Sequence, residues 1–232
     1  MNDEEKAGEM ESAGENASGA SRAKAAVAAL EVAAYFAGIL AYIWRWQYSF
    51  PHAWVFVLAL ILVGHLLHRD TLKGLGLAAS GLGATARIIL PFALVCYLPL
   101  VGYGFAERRL ALLLPSWQCL PPIFGYTLWC AFQQYLAQSC LHNRLMAVMR
   151  NPHARALLIG LMFSATHLPN PVLTAATLVA GFVFAEAFSR YRNIWPLALT
   201  QAVGGILLAT VCPDSIIHHM RVGPGFFFSD IR

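Results

Sequence analysis

Read from its N-terminus, the chain is polar for about two dozen residues and then passes through a succession of apolar windows. These fall near 26–44, 52–67, 86–105, 119–143, 156–168, 171–189 and 194–211. Most are long and nearly continuous rather than alternating, which predicts helices of membrane-crossing length. The window 156–168 is short for a crossing and is closed by Pro169 and Pro171, so a buried or partial helix is expected there. Between the second and third windows, Asp70 to Ala86 is glycine-rich and only partly apolar, as in a segment lying along an interface. The expected fold is all-α, a polytopic transmembrane bundle of about seven spans, with roughly six to eight as the range.

Within this pattern one polar feature stands out. Gln134, Gln138 and His142 recur at every fourth position on an otherwise apolar helix, which stacks them as a stripe. Polar side chains at membrane depth are costly unless they face protein or a wet cavity, so the stripe points to a site.

Composition agrees with a membrane protein, since 58% of residues are hydrophobic and 12% charged. The exception is residues 1–24, where Asp3, Glu4, Glu5, Glu9, Glu11 and Glu15 sit among small and polar residues with no aromatic. Such a segment buries too little to order itself. Its acidic start and the length of the first apolar run predict a disordered tail before an uncleaved first helix, followed by one membrane-embedded domain over 25–232.

Charge also suggests an orientation. With the N-terminus inside, Lys6, Arg22, Lys24, Arg69, Lys73, Arg87, Arg144, Arg150, Arg155, Arg190 and Arg192 fall on the cytoplasmic side, and Arg45, Arg108, Arg109, Arg221 and Arg232 outside. Eleven against five favours a cytoplasmic N-terminus. Nothing resembles a basic nucleic-acid-binding domain, so the lipid bilayer is the expected partner and nucleic acid is not.

Cys96, Cys119, Cys130, Cys140 and Cys212 form no CxxC pair, and each is expected to pack as a small apolar residue. No metal site or cofactor is expected. There is no HExxH, the adjacent His218 and His219 would diverge on a helix, and His65 and His68 share a face without an evident third ligand.

Three windows in the C-terminal half resemble one family in order and spacing. Gln133 to Leu145 matches, without a gap, the EExxxR pattern followed six residues later by Arg-Leu, here Arg144-Leu145. Phe163-Ser-Ala-Thr-His167 matches an FxxxH, and Asn193 to Gly205 resembles an HxxxN helix entered through Trp195-Pro196. Together, over about 119–211, they resemble the CAAX prenyl endopeptidase-like (CPBP, or ABI) intramembrane proteases. That resemblance implies cleavage of a membrane-associated or lipidated polypeptide, and a bacterial plasma membrane as the location.

The departures from the family pattern are extensive. The glutamate pair is Gln133 and Gln134, the arginine is Gln138, the second histidine is Gln201 and the asparagine is Gly205, while Phe163 and His167 are kept. The resemblance implies a glutamate–histidine pair activating water, yet a carboxamide is no general base near neutral pH. The acidic residues inside apolar windows are Glu31 and Glu186. Glu186 lies four residues before Arg190, where an ion pair accounts for it. His167 reads either as a base or ligand at a cavity mouth, or as a buried histidine bonded to a carbonyl beside the proline break. The glutamines read as cavity lining, as interhelical hydrogen bonds, or as both, and Gly204 and Gly205 as close-packing positions. The expected catalytic set is therefore His167, Gln134, Gln133, Gln138 and Gln201, with Phe163, His142, Gly205 and Glu186 around the cavity. Two functions stay open: a divergent intramembrane endopeptidase, or a catalytically silent member that binds a hydrophobic or lipidated peptide or a partner membrane protein.

Overall fold

The computed structural model describes residues 3–110 and 120–228. Cys119 and the start of the fourth apolar window lie outside the described residues. Among those residues, all regular structure is helical. Helix α1 spans Asp3–Ala41, α2 Trp54–His68, α3 Leu82–Ala106 and α4 Leu120–Gln134. The chain then widens into a π-helical stretch, Tyr135–His142, and returns to α-helix as α5, Asn143–Val148. Helices α6 (Pro152–Ala165), α7 (Pro171–Tyr191), α8 (Trp195–Val211) and the short α9 (Asp214–Ile217) complete it.

Over the described residues each apolar window is largely helical, the fifth only as far as Ala165. Among the described residues, four segments are long and apolar enough to cross a membrane: Ser21–Ser49, Pro51–His68, Leu82–Ala106 and Pro171–Tyr191; Trp195–Val211 is apolar but shorter. Large apolar side chains such as Phe56, Leu66, Leu67, Val95 and Phe105 are more than half exposed, which suits lipid contact. Helix α1 continues through residue 24 without a break, so the backbone does not mark the division expected there.

Local sequence explains the helix boundaries. Asn151 opens α6 by accepting from the amides of His153 and Ala154, and Asn170 opens α7 by accepting from the amide of Leu173. In each case proline follows at the first helical position, where its missing N–H costs nothing. Helices α6 and α7 make the closest pair. A Cβ on Gly160 would stand 2.9 Å from the Leu178 carbonyl, and one on Gly181 3.0 Å from the Gly160 Cα, so the two glycines let the backbones touch.

The segment between α2 and α3, expected along an interface, is a series of turns sewn to the start of α8. The fully buried Asn193 donates to the carbonyls of Ala78 (2.8 Å) and Ser80 (3.0 Å), and the Ile194 amide donates to Gly76 (3.0 Å). Gly76 and Gly81 have φ of +73° and +79°, and a Cβ on Gly81 would lie 2.1 Å from the Tyr191 carbonyl. Glycine is required at that crossing.

Candidate functional site

A cavity of about 1210 Å³ opens between the helices, walled chiefly by apolar side chains of α1 to α4 and α6 to α8. Its lining includes several of the positions singled out in the sequence, among other polar side chains such as Gln47, Tyr97, Tyr126 and Thr200. Gln133, Gln201, His167, Phe163 and Gly205 all line it, and no carboxylate does so among the described residues.

The glutamines form a directed chain. Gln138 Nε2 donates to Gln134 Oε1 (3.4 Å), Gln134 Nε2 donates to Gln201 Oε1 (2.7 Å), and Gln201 Nε2 donates to Gln133 Oε1. Gln134 and Gln138 are fully buried behind the wall, and Gln201 and Gln133 carry the chain to the cavity. Each amide spends its donor on the next acceptor, so the chain uses neutral groups alone and arrives at the cavity with the Gln133 amide. Interhelical hydrogen bonding and cavity lining are both present in the one arrangement.

His167 follows the end of α6. Its Nδ1 donates to the Phe163 carbonyl (2.8 Å), and the Thr166 hydroxyl lies 3.1 Å away. The Phe163 ring meets it edge to face at 5.0 Å. The histidine lines the cavity and satisfies a backbone carbonyl at once. The C-terminal segment closes over this corner: Asn170 Nδ2 donates to the carbonyls of Ile217 and Arg221, the Gly223 amide donates to Leu168, and Met220 and Val222 line the cavity.

Two expected cavity residues lie elsewhere. His142 is fully buried but accepts from Arg155 Nε (2.9 Å) and Ser189 Oγ (3.1 Å), against the Phe188 ring. The π-helical winding from Tyr135 onward changes the angular step per residue, so the four-residue stripe ends at Gln138 and His142 turns toward α6 and α7. Glu186 binds His153 (2.7 Å) and Arg190 (3.6 Å), the latter being the pair expected from its spacing.

Two features were missed. Tyr126 lines the cavity seven residues before Gln133, and a Cβ on Gly205 would fall 2.0 Å from its hydroxyl. The space beside Gly205 is therefore filled by a phenol from α4. The second is an ionic cluster beyond the cavity. Arg144 binds Glu31 (2.8 Å) and Asp70 (2.8 Å); Asp70 also accepts from His65 Nδ1 (2.7 Å), and Glu31 meets His68 (3.0 Å). With its proton on Nδ1, His65 accepts at Nε2 from the Tyr135 hydroxyl (2.9 Å). Burial pushes the Asp70 carboxyl up, but hydrogen bonds from Arg144 and His65 outweigh it and hold the group below its ordinary value. Glu31, one of the two acidic residues inside the apolar windows, thus has its carboxylate committed here.

Residues 115–206 match the family model described as type II CAAX prenyl endopeptidase Rce1-like. The matched segment holds all three motif windows read from the sequence, so this part of the chain is similar to the CAAX prenyl endopeptidase-like proteins. No curated protein and no solved structure matches the chain in the other two comparisons.

Proposed function

We propose that this chain is a hydrolytically silent family member that binds a hydrophobic or lipidated peptide segment in its central cavity. One observation carries the reading: the chain of carboxamides and His167 both reach the cavity, and no carboxylate lines it among the described residues. A positioned general base is worth about 10²–10⁴ in rate, and a carboxamide cannot act as one. Amides are suited instead to peptide carbonyls and N–H groups, which they bind without reacting. The cavity volume is ample for a side-chain-bearing segment or a long alkyl chain. In this reading about seven helices enter or cross the bilayer, the N-terminus is cytoplasmic, and the acidic residues before 25 extend from the first helix of a bacterial plasma-membrane protein.

The test uses the full chain in nanodiscs with a fluorescent, singly acylated peptide. Saturable binding is expected, with no cleavage by wild type or by His167→Ala. Gln201→Leu breaks the chain at its centre and should weaken binding by about two- to tenfold. Cleavage by wild type that His167→Ala abolishes would overturn the proposal in favour of the divergent endopeptidase, working with groups other than a glutamate base.

A further inference from the structure

On the face of the bundle where α2 and α7 end and α3 begins lies a second, smaller pocket of about 250 Å³. Lys73, Arg190 and Arg192 line it together with Ser80, Gly81 and Tyr191, so it has three cationic side chains and no carboxylate. Arg190 has a distant partner in Glu186 at 3.6 Å, and that carboxylate is held more closely by His153 at 2.7 Å. Lys73 makes no ion pair among the described residues.

The pocket is built on fixed backbone. Asn193 and the Ile194 amide tie the Gly76–Ser80 turn to the end of α7, and Gly81 passes against the Tyr191 carbonyl. Arg192 is locked as well, donating to Asn143 Oδ1 at 2.6 Å with its guanidinium 5.8 Å from the Phe188 ring centre. Asn143 is itself anchored to the Gly74 and Ser139 carbonyls at 3.0 Å. Gly81 is also the N-cap of α3, which has 25 residues and no side-chain cap. The Leu82 amide donates to the Ala79 carbonyl at 3.3 Å, and the partial positive charge of that helix end adjoins the three cations.

From these features we infer that the pocket binds the phosphodiester of an anionic phospholipid. Its walls lie where α3 begins and α7 ends, two helices long and apolar enough to cross a membrane, and a lipid headgroup would sit beside such ends. Pockets of this type, basic and between transmembrane helix ends, suit phosphate headgroups. A positive-inside charge bias alone would scatter cations over the loops, whereas here they converge on one rigid recess and an uncapped helix. The assignment is independent of what occupies the central cavity.

The experiment titrates the delipidated full chain, in uncharged detergent, with dioctanoyl phosphatidylglycerol and counts adducts by native mass spectrometry. One saturable adduct is expected. Lys73→Ala with Arg190→Ala should weaken it about tenfold or more; both side chains are exposed, so the fold should survive the change. The control pair Arg69→Ala with Arg150→Ala removes the same charge outside the pocket and should change affinity by less than about threefold. Inorganic phosphate at equal concentration should not displace the lipid. Equal losses in the two variant pairs would overturn the pocket in favour of diffuse attraction, and displacement by inorganic phosphate would overturn the lipid in favour of a free anion.

Discussion

The amide chain and the ionic cluster hang on one stretch of chain, Gln133 to Arg144, and solve the problem of polarity in a bilayer in opposite ways. Gln134 and Gln138 are wholly inaccessible and neutral, held by hydrogen bonds between amides, with Gln138 Oε1 left without a partner among the described residues. The charged groups sit further along, where the Arg144, Glu31 and Asp70 side chains retain 6%, 16% and 21% of their exposure. Desolvating an ion costs far more than desolvating an amide. The chain keeps its carboxylates where a guanidinium and two imidazoles surround them, and lines its cavity with carboxamides. Acidic groups have not vanished from the helical domain. They are committed to holding α1, the α2–α3 turns and α5 together.

Removing the centre of the ionic cluster is the most severe way to break that comparison. Arg144→Ala leaves Glu31 and Asp70 partly buried without their shared cation, and should cost about 3–5 kcal/mol of stability. Arg144→Lys should recover only part of this, because an ammonium cannot reproduce the fork that reaches both carboxylates. Unfolding in mixed detergent micelles, followed by tryptophan fluorescence, measures both. A loss below about 1 kcal/mol would mean that the cluster behaves like a solvent-screened surface pair.

A smaller effect sharpens the account of the cavity. The Tyr126 hydroxyl stands where a Cβ on Gly205 would go, at 2.0 Å, with the ring carbon behind it at 2.8 Å. Gly205→Ala should therefore destabilise by about 1–3 kcal/mol through overpacking. In a Tyr126→Leu background most of that penalty should disappear, giving a clear coupling in a double-mutant cycle. Additive losses would show that the ring yields freely. Coupling has a consequence for reconstruction: placing asparagine at 205 to recreate the family pattern requires Tyr126 to be reduced as well.

These features were unequally legible in the sequence. The helices were, because most apolar windows are long and nearly continuous, and the short 156–168 window overlaps α6, which ends at Ala165. The pairing of Gln134 with Gln201 was legible only through motif order, since the partners are 67 residues apart. His142 was misplaced because an α-helical period was carried into a stretch that is π-helical. Tyr126 shared the seven-residue spacing of one helix face with Gln133 and could have been found that way. The ionic cluster could not. Glu31 in a span and His65 with His68 at three-residue spacing signalled that partners were needed, but nothing local says that Arg144 supplies them from far along the chain.

The mildest test titrates the cluster. Because Asp70 has its pKa held below the ordinary carboxylate value of about 3.9 by Arg144 and His65, its ionised form is favoured in the folded protein. The resulting stability is present in full above the unfolded pKa, and is lost as pH falls through the depressed folded value. Thermal unfolding in uncharged detergent should consequently show wild type losing stability on acidification from about pH 5 downward. Asp70→Asn, already lacking that charge, should begin less stable and lose less over the same interval, so the two curves converge in acid. Such convergence would locate the acid sensitivity in the cluster at the helix ends. The carboxamide chain carries no titrating group across this range, so Gln201→Leu should displace the wild-type curve downward without changing its slope. Parallel curves for wild type and Asp70→Asn would instead assign the acid loss to other carboxylates and remove the electrostatic half of the comparison.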